Sequence, residues 1–209
     1  SVLSDIDDAI SYAIKNARVD PAKIYVIGVS GGGYATLCTF MRSKHQINTF
    51  SAWASISDLE AWYRESKIRQ NNYASHILAC TGSGNTLNIH QARRKSPIFR
   101  DTPSGKLANS KLFMYTGIYD GIQGSVPITH SINFYNKLLA DADVSDSSKY
   151  VSDQEKLFLL EFRKPLGDFG KMGGRKIFLK KEWKNLKLVI FEGNHEMLTE
   201  FALNELIRD

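Results

Sequence analysis

The sequence predicts an α/β fold, a parallel sheet flanked by helices. Two observations predict the layering, and a third predicts one domain. Short apolar segments rich in β-branched and aromatic residues alternate with segments of helical periodicity. Several of the apolar segments end in glycine, serine or aspartate turns, as strands do. The chain has 209 residues, 43% hydrophobic and 23% charged, enough for one domain with a sizeable core.

The elements follow in chain order. Residues Ser4 to Ala17 read as a helix capped by Ser4, with Ile6, Ile10, Ala13, Ile14 and Ala17 on one face. Val19-Asp20-Pro21 turns the chain into a strand at Lys23 to Ile27, followed by a glycine-rich turn and a helix from about Gly31 to Ser43. A second strand spans Phe50 to Ile56, stopped by Ser57-Asp58, and Leu59 to Glu65 is helical. From Asn71 to Ser104 the pattern weakens to short helices and loops, broken at Ser96-Pro97. Lys111 to Thr116 is the third strand, and Pro127 to Ala140 a helix with proline in its first turn.

Beyond it, Asp141 to Ser148 is a polar loop, and Ser152 with Glu155 forms a capping box opening a helix to Phe162. Gly167 to Gly174 is turn-like, Lys176 to Leu179 a short strand or hairpin arm, Leu186 to Phe191 the fourth core strand, and Glu196 to Ile207 a closing helix. The expected sheet has about four parallel strands ordered around Lys23 to Ile27, with one edge left open.

The net charge of +5 is mild, but Arg163 to Lys187 concentrates Arg163, Lys164, Lys171, Arg175, Lys176, Lys180, Lys181, Lys184 and Lys187 against two acids. We read this as a solvated face, with attraction of an acidic substrate as the sharper alternative. Nothing resembles a nucleic-acid module, and no apolar run approaches the roughly 20 residues of a membrane span. Two cysteines are too few for a disulfide framework. Cys38 reads as a buried thiol in an apolar helix, its pairing with Cys80 stays open, and so does the redox compartment. A signal upstream of Ser1 would make the protein secreted or periplasmic. No Cys/His cluster suggests a metal, and no cofactor is expected.

The chemistry sits at three strand ends. Gly28-Val29-Ser30-Gly31-Gly32 matches G-x-S-x-G between a strand and a helix, the setting of a strained nucleophile turn. The Gly31 N–H, one residue beyond Ser30, is placed to donate to an oxyanion. A serine hydroxyl needs a base. His195 follows the last core strand directly, whereas His45, His76, His90 and His130 lie in or beside helices or in the irregular middle. Asp120 follows the third strand and is the expected partner of His195; Asp58 reads instead as a helix cap, and Glu192 lies beside the histidine loop. Ser30, Asp120 and His195 thus occur in the order expected of an α/β-hydrolase-type sheet, and the expectation is such a sheet lacking its N-terminal strands.

GVSGGGYATL resembles the nucleophile region of the prolyl oligopeptidase family, and ASISDLEAWY its next strand and loop. GSGNTLNIHQARRKSPIFR and KLFMYTGIYDGIQGSVPITHSINFYNKLL resemble its Ser-Pro and aspartate segments, and EGNHEM its histidine loop. The resemblance covers most of residues 1–140 and 186–209 and implies a triad of Ser30, Asp120 and His195. These motifs mark the catalytic domain and not the substrate, since secreted esterases of polysaccharide side chains share them.

The whole chain, residues 1–209, is then a single partial hydrolase domain with a basic insertion at about 141–185. The resemblance implies an upstream loop with the second oxyanion donor, which has no counterpart here. The expectation is either a fragment or truncated gene product, to be completed by an upstream segment, or a site that another chain completes. The expected function is a serine hydrolase working through an acyl-enzyme. A carboxylic ester substrate, carbohydrate-linked esters included, is favoured over a peptide, with a serine peptidase and an inactive binding domain as alternatives.

Overall fold

A computed structural model describes residues 2–208. The first half runs α1 (Val2–Asn16), β1 (Tyr25–Val29), α2 (Gly31–Arg42), β2 (Thr49–Trp53), α3 (Leu59–Ile68), α4 (Tyr73–Cys80), α5 (Ile89–Lys95) and α6 (Lys106–Asn109). The second half runs β3 (Lys111–Gly117), α7 (Thr129–Asp141), α8 (Asp153–Phe162), β4 (Lys171–Met172), β5 (Arg175–Trp183), β6 (Leu186–Phe191) and α9 (Thr199–Arg208). Among the described residues no helix is long and apolar enough to cross a membrane.

The strands form one six-stranded sheet in the order β1-β2-β3-β6-β5-β4. Strands β1, β2, β3 and β6 are parallel, the four expected core strands. Two features differ from the sequence reading. β1 is not the centre of the order but its edge. The arm expected over Lys176 to Leu179 is a nine-residue strand antiparallel to β6, with a bulge between Ile177 and Leu179. The reason is local at both ends. Lys184, at φ 48, allows the two-residue turn from β5 to β6, and Gly173-Gly174, both at positive φ, close the β4–β5 hairpin.

Alternation along the strands builds two cores. Phe50, Ala52, Leu112, Met114, Leu186, Leu188 and Ile190 face the helices α2, α7 and α8. Trp53, Phe113, Tyr115, Val189 and Phe191 face α9 through Ala202 and Phe201. The Trp53 and Tyr115 rings stack at 4.2 Å. Both faces of the parallel strands are apolar, which is why they read as near-continuous hydrophobic runs.

The weakly patterned stretch resolves into α4, α5 and a short turn at Pro97–Phe99, packed around Ile56, Leu59, Ile77 and Ala92. The expected burial of Cys38 is a correction. The residue is half-buried, with its thiol 3.9 Å from the Lys95 carbonyl and beside the Tyr34 hydroxyl. Both thiols are free.

Candidate active site

Parallel strands bring their following loops to one edge of the sheet. Val29, Trp53, Tyr115 and Val189 lie in one register row across β1, β2, β3 and β6. Ser30, Asp120 and His195 all follow that row in sequence, at the same edge.

Ser30 adopts φ 58, ψ −118, a conformation that costs a non-glycine residue about 1–3 kcal/mol. Its surroundings hold it there. The Ser30 N–H donates to the Trp53 carbonyl at 2.9 Å, and its own carbonyl accepts from the Tyr34 N–H at 2.8 Å. The hydroxyl makes no capping bond to the helix that follows. The turn depends on Gly28, because a Cβ there would lie 2.4 Å from the Gly32 carbonyl carbon and oxygen. As the first residues of α2, Gly31, Gly32 and Gly33 have N–H groups with no partner inside the helix. A Cβ on Gly31 would meet nothing within 4 Å, so that side of the turn is open.

The acid is more tightly held. Asp120 is 3% exposed. Its Oδ1 accepts from the N–H groups of Gly121 (2.9 Å) and Val126 (3.0 Å). Its Oδ2 lies 2.8 Å from His195 Nδ1. A carboxylate can only accept, so Nδ1 carries the proton and the neutral ring keeps its lone pair on Nε2. The histidine side chain is 23% exposed. Between Ser30 Oγ and His195, both described, there is no hydrogen bond.

The other candidates are occupied elsewhere. Asp58 caps α3, accepting from the Glu60 and Ala61 N–H groups at 2.9 and 3.0 Å. Glu192 is exposed. His130 is buried, with Nδ1 accepting from the Ser57 N–H at 3.2 Å and Nε2 3.0 Å from Glu65. His45 bridges α1 and the end of α2 through Asp7 and Ser11. Burial pushes the Cys38 and Cys80 thiols up, which disfavours thiolate at either position. Burial likewise pushes up the phenol of Tyr34, which donates to the Lys95 carbonyl at 2.8 Å.

Three glycines not singled out from the sequence shape the acid loop. A Cβ on Gly124 would lie 2.3 Å from Asp120 Oδ1 and 2.7 Å from His195 Cβ. One on Gly117 would lie 2.3 Å from the Asn194 carbonyl oxygen, and one on Gly121, already at φ 86, 2.5 Å from Pro127. Their spacing around Asp120 was the available signal.

Comparison with curated protein sequences gave no match. Among solved structures the fold is similar to a puromycin-hydrolyzing peptidase of Mycobacterium tuberculosis, at 19% identity and TM-score 0.54, over 67% of this chain and 20% of that one. It is similar to an acylaminoacyl peptidase in complex with Z-Gly-Gly-Phe-chloromethyl ketone, at 20% identity and TM-score 0.53, over 81% of this chain and 28% of that one. A Pyrococcus horikoshii acylaminoacyl peptidase gives 21% identity and TM-score 0.52, over 67% of this chain and 21% of that one. The chain therefore spans between 20% and 28% of the length of these proteins. In sequence, residues 1–155 match the prolyl oligopeptidase family, a stretch that contains Ser30 and Asp120 and stops short of His195. That match takes in 155 of the 209 residues, from the helix before the Ser30 turn to the start of α8, and on this extent the chain belongs to the prolyl oligopeptidase family.

Proposed function

We propose that the chain carries the nucleophile, base and acid of a serine hydrolase acting on amide bonds of peptides. The observation that carries the reading is the 2.8 Å contact between Asp120 and His195, at the edge where the strained Ser30 turn also lies. In this reading His195 Nε2 takes the proton of Ser30 Oγ as the oxygen attacks the carbonyl carbon. Asp120 holds the ring and stabilises its charged form, and the Gly31 N–H donates to the oxyanion. The C–N bond breaks as His195 returns the proton to the leaving nitrogen. Water, deprotonated by the same imidazole, then releases the acid from Ser30.

Sequence alone favoured an ester. Family membership and the peptidases among the similar structures support an amide substrate instead. One observation favours a second reading, an inactive hydrolase-fold binding domain: Ser30 Oγ and His195 are not hydrogen-bonded.

A fluorophosphonate probe separates the readings. The expected result is a single adduct on the Ser30 peptide, absent in Ser30→Ala and strongly slowed in His195→Ala, with release of nitroaniline from a blocked peptide anilide. An unlabelled Ser30 would favour the binding domain, and labelling with ester but no anilide turnover would favour the esterase.

A further inference from the structure

The family match ends at residue 155, and the hairpin β4–β5 lies beyond it. We propose that this hairpin braces the histidine loop, with Glu196 as a positioning residue for His195 and Arg175 as its anchor. The functional meaning rests on the hydrolase reading above; the bracing itself does not.

The loop after β6 is tied to the hairpin at several points. The Glu192 N–H donates to the Lys176 carbonyl at 2.8 Å, extending the β5–β6 ladder past the strand end. Arg175 reaches the Glu192 carbonyl and the Glu196 carboxylate, each at 3.5 Å. The other oxygen of that carboxylate accepts from the Asn194 N–H at 3.0 Å. One carboxylate thus links the residues before and after His195, with a hairpin cation behind it. Gly193 makes room for it, since a Cβ there would lie 2.8 Å from Glu196 Oε1 and 2.4 Å from the Phe191 ring. At the loop's far end, Leu198 packs at the Gly173 turn of the hairpin. On the opposite side, the Tyr119 N–H of the acid loop donates to the Gly193 carbonyl at 3.0 Å. His195 therefore stands between two supports, the acid loop and the hairpin.

The Arg175–Glu196 pair is exposed and screened by salt, so its own effect is modest. Removing the Glu196 carboxylate also frees the Asn194 N–H, and small displacements of a reacting group are costly, up to about 100-fold for 1 Å.

The test compares the chain with Arg175→Gln, Glu196→Gln and Glu196→Ala. Three quantities are read: the rate of Ser30 labelling by the fluorophosphonate, the downfield proton resonance of His195 Nδ1–H, and hydrogen exchange at residues 193–198. Arg175→Gln should slow labelling about 2- to 5-fold, and Glu196→Ala on the order of 10-fold. Glu196→Gln, whose amide oxygen still accepts from Asn194, should recover most of that loss. The His195 resonance should broaden in Glu196→Ala, and high salt should bring the unmodified chain toward Arg175→Gln while leaving that variant unchanged. A Glu196→Ala chain with an unchanged resonance, unchanged exchange and unchanged labelling would overturn the proposal, as would a loss confined to thermal stability. If the unmodified chain does not label at all, the hydrolase reading fails, and the resonance and exchange still decide whether the hairpin braces the loop.

Discussion

Asp120 uses both carboxylate oxygens, one on backbone N–H groups and one on His195. This division fixes which way the acid faces before any substrate arrives. Asp120→Asn preserves the size of the group but can present an N–H to the ring and favour the wrong tautomer. We expect Ser30 labelling to fall by up to about 10⁴-fold with little loss of fold. Near-normal labelling with unchanged thermal unfolding would remove Asp120 from the proposed role. Gly124 tests the same pair from outside. Gly124→Ala inserts a methyl group where Asp120 Oδ1 and His195 Cβ already stand. Overpacking of this kind costs about 1–3 kcal/mol, so a lowered melting temperature together with slowed labelling is expected. Unaltered values of both would show that the loop gives way freely.

At the scale of elements, what was legible depended on how local the cause is. The capping box of α8 is written within four residues, and Ser152 and Glu155 make both of its bonds. Burial raises the Glu155 carboxyl, but the Ser152 N–H and Lys181 outweigh it and hold the group below its ordinary value. A carboxyl lowered on folding contributes stability above its unfolded value and loses it as pH falls through the folded one. Glu155→Gln should therefore flatten the acid side of the urea-midpoint profile between those two values; an unchanged profile would refute the linkage. Ser152→Ala should cost about 1 kcal/mol in the same unfolding experiment. The length of β5 was not legible, because Arg175-Lys176 and Lys180-Lys181-Glu182 are charged runs without the apolar alternation that marks a strand. Its pairing with β6 depends on a turn at Lys184 that nothing in residue type demands.

Across the molecule, β6 lies between β3 and β5 and packs on both cores. Leu188 is fully buried. Leu188→Ala should cost about 2–5 kcal/mol, read as a lowered denaturant midpoint, and a change under half a kcal/mol (about the size of a surface effect) would contradict this core assignment. His130 is a second long-range tie. It joins α7 to the loop after β2 and to α3 through the Ser57 N–H and Glu65. As a histidine within a helix it carried no such signal, because both partners lie more than 60 residues away.

The sequence by itself determined the layered α/β class, the parallel strand segments and the three strand-end residues Ser30, Asp120 and His195. Periodicity, turn chemistry and motif spacing are local properties, and they survive in a linear string. Only the tertiary structure decided that β1 lies at the edge of the order and that β5 is a full antiparallel strand. It also decided that Asp120 meets His195 and that Gly124 has no room for a side chain. Each of these is a contact between segments far apart in the chain, fixed by which strand finds which neighbour and how closely two loops then approach.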